Sequence, residues 1–174
     1  ANIYALLESL LHQSATNFNL TQIIVALDGC SDQTASMVKK IRDSRIKLLS
    51  YSQNRGKVAR TNNILRHADT DILVLYDADI VLFDRDSTAN LIAPLLAKGS
   101  SIALTSGRQV PIVGDTIIEK IANAGSLVWD HAKSYSKNNS IYYCSGGNRA
   151  MIRELYTKLS FPQIMAEDIY PYLY

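Results

Sequence analysis

Between Asp71 and Asp79 the chain reads Asp-Ile-Leu-Val-Leu-Tyr-Asp-Ala-Asp, and this stretch most constrains the fold. The apolar run Ile72 to Tyr76 is too short for a core helix and predicts a buried strand. Two carboxylates, Asp77 and Asp79, follow at once, separated by one small residue. In an open α/β sheet, ligands bind outside the carboxyl ends of the strands. Acids this close repel each other and are costly to desolvate unless a cation or hydrogen-bond donors hold them. Oxygen ligands on a short turn suit Mg²⁺ or Mn²⁺, usually shared with phosphate oxygens. A metal-bound phosphate ester is therefore the first expectation.

The rest of the chain supplies an α/β frame for that strand. Ile3, Leu6, Leu7, Leu10 and Leu11 recur at helical spacing and predict an amphipathic opening helix. Ile23 to Leu27 predicts a short strand, ended by Asp28-Gly-Cys-Ser-Asp32, with Ser31 or Asp32 capping a helix through Met37, Val38 and Ile41. A strand over Ile46 to Tyr51, a turn at Asn54-Arg-Gly56 and a helix over Lys57 to Ala68 follow. Beyond the Asp pair we expect a helix containing Leu91 to Ala97, a strand over Ile102 to Thr105 and a long helix over Ile117 to Ala132. Tyr142-Tyr143 would mark a short strand before a turn at Ser145-Gly-Gly-Asn148. Strands alternating with helices predict a three-layer α/β/α, mostly parallel sheet. Such a sheet normally begins with a strand, so a helix at the start suggests one further strand upstream. Length and the absence of linker or repeat indicate a single domain over residues 1–174.

Composition narrows the function classes. A net charge of +2 without a Lys/Arg run gives no electrostatic footprint for nucleic acid. Cys30 and Cys144 lie far apart and lack metal-spaced neighbours, which argues against a disulfide framework or zinc and for a reduced, cytoplasmic setting. No apolar run approaches the ~18 residues of a membrane span.

Several polar groups could share the chemistry. Asp28 also ends a strand and is followed by Gly29, so it converges with Asp77 and Asp79 if both strands lie in one parallel sheet. It could accept from a ribose hydroxyl or a base N–H, or simply cap a helix. Arg55-Gly56-Lys57 opens a helix and suits a diphosphate, though a solvated basic turn reads the same way. Arg149 and Arg153 could meet phosphate or lie over the surface. Glu167-Asp168 offers a general base, or only an acidic first helical turn. His12 and His67 sit at helix ends and His131 inside a helix beside Trp129, with no catalytic pattern.

Taken together, these segments resemble the family 2 glycosyltransferases, inverting enzymes of the GT-A fold. The resemblance is carried, in family order, by Leu-Leu-Glu-Ser-Leu-Leu-His-Gln13, Ile-Ile-Val-Ala-Leu-Asp-Gly-Cys-Ser-Asp-Gln-Thr34, Asn-Arg-Gly-Lys-Val-Ala-Arg-Thr-Asn62, Leu-Val-Leu-Tyr-Asp-Ala-Asp79, Cys-Ser-Gly-Gly-Asn148 and Ala-Glu-Asp168. It implies a nucleoside-diphosphate sugar donor (UDP- or GDP-linked), a hydroxyl acceptor on a glycan or lipid carrier, and Mg²⁺ or Mn²⁺. It also implies roles: Asp28 on the nucleoside, Lys57 near the nucleotide, Asp79 on the metal and Asp77 between ribose and metal. Gly146, Gly147 and Asn148 would floor the donor site, and Asp168 would be the general base with Glu167 beside it. The resemblance places the protein in the cytoplasm or at the cytoplasmic face of a membrane, reached through parts of a longer protein. The family's first strand with its Asn turn and its later Gln-x-x-Arg-Trp motif are not in these residues, and Cys30 stands where Ser is commoner. We therefore expect a fragment of a catalytic domain.

A haloacid-dehalogenase-type phosphatase also uses a strand-end Asp-x-Asp, but there the strand lies near the domain start and a Thr follows where Val81 stands here. A sugar nucleotidyltransferase and a nucleotide-sugar-binding module without turnover remain alternatives.

Overall fold

In the computed structural model, residues 3–112, 114–134, 146–163 and 170–173 are described. The elements are α1 (Ile3–Leu11), β1 (Ile23–Asp28), α2 (Thr34–Lys40), β2 (Ile46–Tyr51), α3 (Gly56–His67), β3 (Ile72–Tyr76) and α4 (Ser87–Leu96). They continue with β4 (Leu104–Ser106), α5 (Ile117–Ser134), β5 (Asn148–Ile152), the short α6 (Arg153–Tyr156) and a 3₁₀ turn at Tyr170–Leu173. Most predicted elements fall within a residue or two of these bounds. The expected strand at Tyr142-Tyr143 lies outside the described residues.

β1 and β2 pair in parallel, Ile23 opposite Ile46 through Asp28 opposite Tyr51. β5 lies between β3 and β4 and is antiparallel to both, so β3 and β4 run the same way. The crossovers through α2 and α4 thus return to parallel strands, and β5 runs against its two neighbours. Among the described residues these pairings make two separate sheets, not the single sheet that would line up Asp28 with Asp77.

The side-chain alternation of the strands explains where the helices go. Ile23, Val25 and Leu27 of β1 pack with Ile3, Leu6 and Leu7 of α1 and Val38 of α2. Leu73 and Leu75 of β3 join Met151 of β5, Val58 and Leu65 of α3, Tyr156, Leu159 and Phe161. Ile72, Val74 and Tyr76 face the other way, onto Leu91 and Ile92 of α4 and Ala150. Tyr76 belongs to the first cluster as well, so it joins the two sheets apolar-side inward. A strand with helices on both faces needs a continuous apolar run, which is why Ile72 to Tyr76 does not alternate with polar residues. Its residues are nonetheless only half-buried, not fully buried as the run suggested, and β3 is paired on one edge only among the described residues.

The β5 strand is the element that the sequence reading passed over. It begins at Asn148, directly after the Gly146-Gly147 turn, and carries Arg149 into the centre of the sheet at 1% exposure. The Arg149 guanidinium lies 5.2 Å from the Phe161 ring centroid, so this arginine does not cover the surface. Arg153 does stay near solvent and pairs with Asp69 at 2.7 Å.

Candidate functional site

The candidate site is assembled around the amino end of α3. Gly29 has a left-handed φ of +68°, and a Cβ there would stand 2.7 Å from the Asn54 backbone nitrogen. Only glycine lets the β1 turn approach the Asn54 turn this closely. Brought alongside, the Asp28 carboxylate accepts from the Arg55 N–H (2.9 Å, Oδ1) and the Gly56 N–H (2.7 Å, Oδ2). It thus caps α3 from another strand, satisfying amides that a helix start leaves without intrahelical partners. The Arg60 Nε donates to Asp28 Oδ1 at 2.5 Å. Burial pulls the Asp28 pKa upward, but the Arg55 and Gly56 amides and the Arg60 guanidinium outweigh it and hold the carboxyl below its ordinary range.

One residue further on, Lys57 reaches the strand-end pair. Its Nζ lies 3.0 Å from Asp77 Oδ1 and 3.1 Å from Oδ2. Arg55, Gly56 and Lys57 therefore connect Asp28 to Asp77, although β1 and β3 sit in different sheets. The expected convergence holds, carried by a helix start instead of a shared sheet edge. Asp77 is half-buried, whereas Ala78 and Asp79 are exposed.

Below the acids lies the glycine turn. The Asp77 N–H donates to the Gly147 carbonyl at 2.8 Å, and Tyr76 stands opposite Asn148 in the register. Gly146 and Gly147 are buried there. Asn148 accepts from the Gly107 N–H through its side chain (3.0 Å) and its carbonyl (3.2 Å), tying β4's exit to the same turn. Asp28, Lys57, Asp77, Asp79, Gly146, Gly147 and Asn148 are thus brought together. Glu167, Asp168 and Cys144 lie outside the described residues, and Cys30 is exposed.

Two residues of α3, one in the site and one that anchors the helix beside it, escaped the sequence reading. Arg60 is only 7% exposed. Asn62 donates through Nδ2 to the Phe161 carbonyl (2.9 Å) and accepts the Phe161 N–H on Oδ1 (2.8 Å). Apolar spacing gave no signal for Arg60, which lies well round α3 from the buried Val58, Thr61 and Leu65. Its burial is explained by its partner, Asp28, which comes from a distant strand. As for the helix after β1, Asp32 helps its start by accepting the Thr34 N–H, but Gln33 occupies the capping position.

The residues fit a small hard cation. Asp79 is open to solvent and Asp77 shares its charge with Lys57, while no group of three or more His, Cys, Asp or Glu side chains gathers among the described residues. Mg²⁺ or Mn²⁺ is commonly held by one or two carboxylates with substrate phosphates completing the shell. No described helix is long and apolar enough to cross a membrane.

Fold and site together define an α/β domain of the nucleotide-sugar-transferase type. Comparison with known proteins agrees. The family described as Glycosyl transferase family 2 matches residues 1–160, and the chain belongs to it. Over 173 residues it is 28% identical to an Escherichia coli UDP-Glc:alpha-D-GlcNAc-diphosphoundecaprenol beta-1,3-glucosyltransferase, WfgD, covering 98% of this chain and 63% of that protein. A poly-beta-1,6-N-acetyl-D-glucosamine synthase of Staphylococcus aureus (strain COL) is 30% identical over 81 residues, 46% of this chain and 19% of the synthase. Among solved structures, the mannosyltransferase PcManGT from Pyrobaculum calidifontis, in complex with GDP-Man and Mn²⁺, superposes with a TM-score of 0.69 at 24% identity, over 98% of this chain and 46% of that one. S. aureus TarS 1-349 superposes at 0.64 with 20% identity, over 97% and 49%. These superpositions establish the GT-A fold. The chain spans less than two thirds of the length of these relatives.

Proposed function

We propose that this chain is the donor-binding part of a metal-dependent, inverting glycosyltransferase that moves a sugar from a nucleoside diphosphate to a hydroxyl acceptor in glycan or cell-envelope synthesis. The observation that carries the reading is the bridge from Asp28 to Asp77 through Arg55, Gly56 and Lys57. It sets a nucleoside-side acid, a helix amino end with a lysine, and a cation-binding pair in the order a nucleoside diphosphate presents base, phosphates and metal. GDP-Man and Mn²⁺ in one structural neighbour, and a UDP-Glc donor in one sequence relative, support the donor class and the metal. That relative's diphosphoundecaprenol acceptor supports a lipid-linked acceptor.

In this reading Asp28 accepts from the nucleoside with its remaining acceptor capacity, Lys57 faces the diphosphate, and Gly147 holds Asp77 in place. Asp79 and Asp77 would hold Mg²⁺ or Mn²⁺, which when bound would supply a Lewis acid for charge developing on the leaving diphosphate. Asp168 takes the proton of the acceptor hydroxyl, whose oxygen bonds to the anomeric carbon as the bond to the diphosphate oxygen breaks on the opposite face. Isothermal titration of the full-length protein with UDP and GDP, with and without Mn²⁺, tests the donor reading; no binding of either nucleotide with Mn²⁺ would sink it. Donor turnover with acceptor extract should vanish in Asp168→Asn while nucleotide binding persists. A binding module would show no turnover in either protein.

A further inference from the structure

We infer that Arg60 is a positioning residue of the donor site, acting on Lys57 through the turn that precedes it; the inference rests on the donor reading above. Arg60 is buried, and its guanidinium makes contacts in three directions. Nε donates to Asp28 Oδ1 at 2.5 Å, Nη2 donates to the Gln53 carbonyl at 2.5 Å, and Cζ lies 3.7 Å from the Tyr51 ring centroid. Asp28 in turn holds the Arg55 and Gly56 amides. A closed ring of contacts results: Arg60 to Gln53, along the chain to Arg55 and Gly56, across to Asp28, and back to Arg60. The segment just before Lys57 is gripped from both sides. Lys57 stands three residues before Arg60, one helical turn away, and it leaves this ring pointing at Asp77.

The grip requires a guanidinium. Its planar fork reaches a carboxylate and a carbonyl together while lying flat on an aromatic ring, whereas an ammonium is a point charge that cannot do all three. None of these contacts goes to the core clusters. They end on the carboxyl ends of β1 and β2 and on the turn that delivers Lys57, which is where a positioning role differs from support of the fold at large.

The test uses Arg60→Lys and Arg60→Met in the full-length protein, with Arg153→Met as a control on an exposed pair. Binding of UDP and GDP with Mn²⁺ is titrated, amide exchange is followed at Arg55, Gly56 and Lys57, and melting is recorded. We expect both Arg60 variants to melt cooperatively, to lose protection at Arg55 and Gly56, and to bind the preferred nucleotide about tenfold more weakly. Arg60→Lys should not rescue, although it keeps the charge, and Arg153→Met should bind like the parent. Should Arg60→Met fail to fold, Arg60→Lys decides alone. An Arg60→Lys protein with parental nucleotide affinity overturns the inference. If the parent itself binds neither nucleotide, the donor reading fails; lost protection at Arg55 and Gly56 in Arg60→Lys would still uphold the grip on the Lys57 turn, and unchanged protection would overturn that too.

Discussion

Asp28 spends its carboxylate on two main-chain amides and a buried guanidinium, and this makes it a structural acid before it is a binding one. Replacing it with Asn leaves Arg60 buried against a neutral amide. Unfolding in urea should show a loss of about 2 kcal/mol near neutral pH. The acid behaviour has a definite sign. The folded pKa of Asp28 lies below its unfolded value, so its contribution is complete above about pH 4 and is lost as pH falls through the folded value. Asp43, held at about 2 by the side chain and amide of Arg45, adds a loss in the same direction. Asp28→Asn should therefore make the acid limb shallower; equal acid limbs in both proteins would contradict this. Asp79 shows the opposite balance. It is exposed and touches no partner among the described residues that the fold depends on, so Asp79→Asn should keep the parental unfolding free energy within about 0.5 kcal/mol while Mn²⁺-dependent nucleotide binding drops about tenfold or more.

At the scale of elements, α3 is the piece on which others converge. Its amino end is capped from β1, Lys57 reaches β3's exit, Arg60 touches β2's last residue, and Asn62 pairs with both main-chain groups of Phe161. Asn62→Ala leaves the Phe161 N–H and C=O without that partner, so an equilibrium loss of about 1–3 kcal/mol is expected from denaturant titration. Asn62→Asp should recover part of it by restoring the acceptor. Nearly all the helices and strands could be read in advance because their apolar spacing is local and clean. What could not be read was pairing. Nothing in Asn148-Arg-Ala-Met-Ile152 announces a central antiparallel strand, since a glycine pair precedes it and an arginine lies inside it. Arg149 and Arg60 were both legible as charges and not as buried charges, because burial is decided by neighbours distant in the chain. The site acids were legible for the converse reason: each falls at the end of an apolar run, and strand ends are visible in sequence.

At the scale of the molecule, the described residues form two sheets, and two bridges join them on the α4 side. Tyr76 supplies the apolar bridge, and its hydroxyl lies 3.2 Å from that of Thr88, at the start of α4. The polar bridge on that side is Gln13. Its Nε2 donates to the Asp84 carbonyl (2.8 Å) and the Ser9 carbonyl (3.1 Å), and its Oε1 accepts the Thr88 N–H (2.8 Å). One amide therefore fastens the end of α1 to the loop that leaves the Asp77-Asp79 pair and to the first turn of α4. Ser14 reinforces it through its N–H to the Arg85 carbonyl at 2.7 Å. Removing the amide should weaken coupling between the halves more than it weakens either half, because neither core cluster contains Gln13. In Gln13→Ala we expect amide exchange to speed up at Thr88 and through residues 82–86, while protection in β1 and β5 stays near the parental level. The same variant should let Asp79 wander, lowering Mn²⁺-dependent nucleotide affinity without disturbing the Arg55 and Gly56 amides that Asp28 holds. Uniform loss of protection across both sheets would mean that Gln13 supports the fold as one unit, and the two-part description would have to be given up.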